Sequence, residues 1–230
     1  MNLIKIDLHV HSQDSNYTGS NISQESDLEK LLILTKKRVK IVSFSDHDNF
    51  YIESYLKRLE IIKQYNIDIT LWPGIEVNLR KYDGQIGQAI FIFDPDSNLK
   101  ELNEVTKKEF RFNSNKYTYK DAVELFKKSN FNFMVFPHAG KGQDNMEWQD
   151  ICNSQVDGLD ITDFNNSNKK KILKQDPNIP VLYFSDTHTW KKYPQYGKFC
   201  SYVEVENKDQ ITFNEVKNNI RNNKVDYDKV

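Results

Sequence analysis

The chain has 230 residues, with 32 basic and 33 acidic side chains and a formal net charge of −1. That length suits one α/β domain with a sizeable core and is short for two, so a single domain over residues 1–230 is expected. The balanced charge gives no global field that would draw in nucleic acid or an anionic membrane, and no apolar run approaches the roughly 20 residues that span a bilayer.

Residues 1–6 open directly as a strand, without the basic-then-apolar pattern of a leader. Cys152 and Cys200 lie far apart without metal-type spacing. Together these predict a cytoplasmic protein with reduced thiols. Strand-like and helix-like segments then alternate. A strand over 3–10 ends at His11, and a polar loop follows. A capped helix start at 22–25 leads into a helix through Arg38. A strand over 40–45, a helix over 50–65 and a strand over 67–72 come next, the last reaching Pro73-Gly74-Ile75-Glu76-Val77. Residues 88–93 read as a strand, 98–115 as an inserted helix or lid-like excursion, and 119–129 as a helix. Strands at 132–136, 157–161, 180–184 and 201–206 and a helix at 212–221 complete the chain. Strands separated by helical crossovers predict parallel pairing, in a barrel or a doubly wound sheet.

All five histidines fall where strands end, beside carboxylates. They occupy Asp7-Leu8-His9-Val10-His11-Ser12, Ser45-Asp46-His47-Asp48, Phe136-Pro137-His138 and Ser185-Asp186-Thr187-His188. One such histidine is more simply a satisfied core or surface residue. Five in the same company point to transition or zinc-type ions. Ligands at the C-terminal ends of different strands favour the barrel, because there such barrels gather their chemistry. His9 and His11 share a strand face and can chelate one ion. Asp7, on the same face, is expected to orient an imidazole. Ring closure would bring the last of these segments beside the first. Glu76, the sole acid in an apolar run, is expected to be paired or ligating, and a carboxylate bridging two ions fits it.

In this order, and over essentially the whole chain, the motifs resemble the polymerase-and-histidinol-phosphatase (PHP) superfamily. The resemblance implies a distorted (β/α)7 barrel whose cleft holds one to three divalent ions, zinc, manganese or iron. It implies hydrolysis of a phosphomonoester or phosphodiester, with nucleotide and nucleic acid among the substrate classes. One ion would take His9, His11, Glu76 and Asp186, a second Glu76 and His138, and a third His47 and His188. Two positions depart from the pattern: Asn16 stands where an acid or histidine is usual, with Asp14 as a substitute, and Gln88 stands in place of a histidine.

Metal-activated water is expected to attack the phosphoryl group, with His188, Asp186 and Lys141 as the catalytic candidates. Lys141, in the glycine-flanked His138-Ala139-Gly140-Lys141-Gly142, is expected either to meet a phosphoryl oxygen or to be a solvent lysine on a flexible loop, with Lys198 as a weaker second cation. Tyr17, Trp148, Trp190, Tyr193 and Tyr196 fall in loops near the ligands, where they either stack a base or cover the barrel mouth. Two other readings stand beside this one. An amide or C–N hydrolase also opens on His-x-His but bridges its ions through a lysine after the middle strands. A non-catalytic module would keep only part of the metal site.

Overall fold

The computed structural model describes residues 2–111, 115–197 and 199–229, so Lys198 and part of the 98–115 excursion lie outside the described residues. The elements are β1 (Asn2–Val10), α1 (Asp27–Lys36), β2 (Val39–His47), α2 (Ile52–Gln64), β3 (Thr70–Leu71), β4 (Gly74–Arg80) and β5 (Ile86–Phe93), then α3 (Leu99–Glu109), α4 (Tyr119–Lys128), β6 (Phe133–Gly140), α5 (Trp148–Ile151), β7 (Leu159–Ile161), α6 (Ser167–Gln175), β8 (Val181–Tyr183), β9 (Phe199–Val205), α7 (Phe213–Arg221) and β10 (Val225–Lys229). The first helix begins one turn later than its sequence suggests. Ser26 and Glu29 form a reciprocal cap, each side chain accepting from the other's backbone N–H, and this fixes the start at Asp27.

The strands form one sheet in the order β10-β9-β1-β2-β4-β5-β6-β7-β8, with β3 beside β2. Nine strands thus lie along the path, against seven in the expected barrel. Nor is the pairing all parallel. β4 and β5 form an antiparallel hairpin, β5 runs antiparallel to β6, and β9 is antiparallel to both β1 and β10. The hairpin arises because the strand that reaches Val77 in the sequence runs on to Arg80 and turns back directly into β5. Glu76 therefore sits inside a strand, facing His47 across the parallel β2–β4 register.

The β8 end of the sheet curls back onto β1. Beyond β8, the Asp186 N–H donates to the His9 carbonyl (2.8 Å) and the His11 N–H donates to the Thr187 carbonyl (3.1 Å). Ring closure thus brings the last histidine segment beside the first, as the sequence implied. Ile4, Ile6, Leu8, Ile90, Phe136 and Phe184 belong to the apolar cluster that fills the barrel, and α7 adds Phe213, Val216 and Ile220 to it. A second cluster, including Leu34, Tyr55, Leu102 and Phe126, seals the helices onto the outside of the sheet. Within the excursion, α3 is packed rather than lid-like: Leu102 is buried, and the buried Thr106 hydroxyl accepts from the Phe50 N–H (3.0 Å). No helix among the described residues is long and apolar enough to cross a membrane.

Candidate metal centre

Strict alternation along β1 would put Asp7, His9 and His11 on one face. The strand is irregular between Asp7 and Val10, where its register against β2 shifts. Leu8 packs in the barrel interior while Val10 packs in the outer cluster. The irregularity turns His9 and His11 toward the cleft and leaves Asp7 behind. Asp7 instead accepts from the Tyr193 hydroxyl (2.8 Å) and the Ser185 N–H (3.1 Å). It therefore ties the loop after β8 to β1 and does not orient an imidazole. The residue that does so is Asp160 of β7, whose Oδ2 lies 2.8 Å from His9 Nδ1. The sequence signal for Asp160 was the one used for Glu76, an acid flanked by apolar residues.

The five histidines converge with Glu76 and Asp186. His9 Nε2 and His11 Nε2 face each other at 3.0 Å, with Glu76 Oε1 at 3.3 Å and Asp186 Oδ1 at 3.4 Å from His9 Nε2. Glu76 Oε2 is 2.7 Å from His47 Nδ1, and Glu76 Oε1 is 3.1 Å from His138 Nε2. The ligand atoms fall into three overlapping sets: His9, His11 and Asp186; His9, Glu76 and His138; and His11, His47 and His188. Asp186 adopts a left-handed backbone (φ 49°), which an aspartate tolerates and which most side chains resist.

The residues at the two departures are hydrogen-bonded to partners outside this cluster. The Asn16 side chain accepts from the Ile22 N–H, and Asp14 pairs with Arg58 (3.3 Å). Gln88 donates to Asn78 Oδ1 (3.1 Å), which in turn holds Asp48. The Lys141 ammonium is buried and shared between Asp160 Oδ2 (3.1 Å) and Asp186 Oδ2 (3.4 Å), and meets His9 Nδ1 at 2.8 Å. It is a cation of the cleft floor, because a buried ammonium must pair with buried carboxylates. Trp190 and Tyr193 are buried and stacked on each other, and Trp148 is half-buried; Tyr17 and Tyr196 remain exposed.

Electrostatically the cluster sets ionised carboxylates against imidazoles of two kinds. Burial and Lys141 pull the His9 imidazole down, but Asp186, Glu76 and Asp160 outweigh them and hold it up at about 10. Burial drives His11 well below the ordinary histidine range. Glu76 and Asp186 lie well below the carboxylate range despite burial, Glu76 through His47 and His9, Asp186 through Lys141 and His9. Both ring nitrogens of buried His138, with Asp160 Oδ1 and Glu76 Oε2, lack any well-formed hydrogen bond. Such orphaned groups are costly in a dry interior, and the lone pairs among them, on carboxylate oxygens and an unprotonated imidazole nitrogen, are what divalent ions satisfy. Imidazole and carboxylate donors suit zinc, manganese and iron, so the donor set fits the implied ions.

No protein-family model matches the chain, and no curated protein does. Solved structures do share its fold. The lesion-specific endonuclease PfuEndoQ from Pyrococcus furiosus superposes with a TM-score of 0.67 at 16% identity, over 96% of this chain. The chain spans 56% of that endonuclease's length. A candidate metal-dependent phosphoesterase from Bifidobacterium adolescentis gives 0.52 at 14% identity, over 80% of this chain and 88% of its own. An amidohydrolase from Chromobacterium violaceum gives 0.50 at 13%, with the same coverage. At these identities the likeness is one of fold: a mixed α/β, nearly closed barrel.

Proposed function

We propose that the chain is a metal-dependent phosphoesterase of the PHP type, acting on a phosphomonoester or phosphodiester of a nucleotide or nucleic acid. One observation carries this reading. His9, His11, His47, Glu76, His138, Asp186 and His188, from five separate segments, converge into three overlapping ligand sets with atoms within 4.8 Å in each. A lesion-specific endonuclease and a candidate metal-dependent phosphoesterase that share the fold support it by analogy.

Bound there, zinc, manganese or iron would supply an activated water and a Lewis acid for a phosphoryl oxygen. The chain's own residues would hold and balance that chemistry. Asp186 turns Oδ1 to the imidazoles of His9 and His11 while Lys141 holds its Oδ2, which fixes the carboxylate's orientation. Lys141 also offsets the charge of Asp160, so an anionic phosphoryl group meets less repulsion. His188 is part-exposed at the rim, its Nδ1 3.0 Å from the Asp186 carbonyl. It either joins His11 and His47 as a ligand or gives a proton to the leaving oxygen. Tyr196, 6.3 Å from the His188 ring, also lines a cavity of about 420 Å³ with Phe164, Phe199, Asn165 and Lys229. Aromatic walls beside the phosphoryl site suit a base, which supports the nucleotide class. A lysine-bridged C–N hydrolase fits less well, because Lys141 makes ammonium–carboxylate contacts.

The test joins elemental analysis of the purified protein with hydrolysis of bis(p-nitrophenyl) phosphate in added manganese or zinc. Bound ion and chelator-sensitive hydrolysis are expected. Ion without hydrolysis would favour the non-catalytic module, and amide cleavage in its place would favour the C–N hydrolase.

A further inference from the structure

The second ligand set, as the sequence suggests it, stops at Glu76 and His138. Gln88 adds nothing to it, since its amide is engaged with Asn78. In the parallel register of β6 and β7, however, His138 stands directly beside Asp160. Asp160 is fully buried, and its Oδ2 lies 3.3 Å from His138 Nε2, which is itself 3.1 Å from Glu76 Oε1. We infer that Asp160 completes the second ion site as its third protein ligand, alongside Glu76 and His138.

The plainer role for Asp160 is to orient His9 and neutralise Lys141, and that role accounts for Oδ2. It leaves Asp160 Oδ1 without a hydrogen bond, and His138 Nε2, though close to Glu76 and Asp160, makes none of good geometry. A buried carboxylate oxygen and a buried imidazole left unsatisfied each cost on the order of 1–3 kcal/mol. A single cation facing Glu76, His138 and Asp160 would satisfy Asp160 Oδ1 and the one His138 nitrogen that faces the two carboxylates. Three protein ligands with further positions left to water is the arrangement of catalytic ions, whereas structural sites close all four. A carboxylate in place of the imidazole expected at Gln88 also makes the site harder, favouring oxygen-loving ions such as manganese over zinc there. Lys141, 3.1 Å from Asp160 Oδ2, then holds the carboxylate by its other edge.

This inference rests on the metal reading above, and the two fail differently. Metal-free protein is titrated with manganese and, separately, with zinc, followed calorimetrically and by elemental analysis after desalting. The wild type is compared with Asp160→Asn and with Asp160→Asn/Lys141→Met, the second removing the ammonium that the first would strand. Thermal unfolding confirms that each variant is folded. Both variants should hold one ion fewer per chain. The affinity of the remaining tightest ion should fall by less than the 10- to 100-fold that losing an orienting partner brings, roughly. An unchanged ion count with every affinity weakened would mean that Asp160 only orients His9, and a wild type that binds a single ion would overturn the inference as well. A wild type that binds no ion at all would overturn the metal reading and this inference with it.

Discussion

At the scale of single residues, the cluster is a balance between buried carboxylates and the cations that face them. Asp186 sits at φ 49°, a backbone that asparagine also tolerates. Asp186→Asn should therefore fold while losing hydrolysis, as should His9→Ala and Glu76→Ala, because each removes a donor from the most complete ligand set. Turnover at the wild-type rate in any of the three, at matched metal loading, would refute the assigned roles. Lys141→Ala should lower kcat/KM by about a hundredfold, the order expected when a charge that steadies the transition state is lost. Lys141→Arg should recover only part, since a planar guanidinium cannot reproduce an ammonium between two carboxylates. Near-wild-type kinetics for Lys141→Ala would make the lysine a structural counter-ion alone. Gln88→His should tighten manganese or zinc binding at the second site, imidazole being the better ligand. Identical titration curves would show that the side chain stays on Asn78. Among these residues Glu76 was legible in the sequence and Lys141 only in part. Its presence near the ligands could be read, but its ion pairs depend on β7 and on the turn after β8.

At the scale of elements, the loop after β1 is held by one carboxylate of β2. Asp46 accepts from the Ser12 N–H, the Ser12 hydroxyl and the Ser15 hydroxyl, each at 2.7 Å. Ser15 in turn approaches His11 Nδ1 at 3.3 Å. Asp46→Ala strands three buried donors, a cost of about 2–4 kcal/mol from the price of unsatisfied groups. Thermal unfolding should fall by roughly 5–10 °C for a chain of this size. Affinity for the ion at His9 and His11 should weaken along with it, roughly tenfold or more. A melting temperature unchanged within error would show that the loop is held by other contacts. Most helices and strands here could be read from periodicity, because their apolar faces repeat at 3.6 or 2 residues. The β4–β5 hairpin could not. Asn78 and Arg80 are polar and belong to a strand only because β5 and Thr118 lie beside them.

At the scale of the whole molecule, the helical shell carries charges that burial disfavours, Lys30 among them. Lys30 of α1 is buried, donates to Gln13 and lies 5.9 Å from the Trp190 ring. Burial pulls its ammonium down to about 8, from an ordinary 10.5. Between these values the unfolded chain binds more protons than the folded one, so stability gains with rising pH. The penalty is full below about pH 8 and gone above about 10.5. Lys30→Met should therefore be more stable than the wild type at pH 7, with the difference shrinking as pH rises from 8 to 10.5. Denaturant midpoints measured across that range check this, and a difference independent of pH would assign the effect to packing. Trp72, fully buried in the barrel interior against Phe213 of α7 (ring centroids 5.1 Å), tests the core itself. Trp72→Ala should cost about 3–5 kcal/mol, visible as a lowered denaturant midpoint.

The sequence by itself determined the alternation of strands and helices, the placing of histidines at strand ends and the choice of Glu76, because these rest on local period and local company. Register, curvature and closure were decided only in three dimensions. The irregularity in β1 sends Asp7 one way and His9 and His11 the other, and no period along the chain records it. The β6–β7 register sets Asp160 beside His138, though 22 residues separate them in the chain. The closure of the segment after β8 onto β1 brings Asp186 and His188 to the side of the cleft where His9 and His11 lie. Such pairings are fixed by which strands bury which faces together, and that is a property of the folded sheet rather than of any one segment.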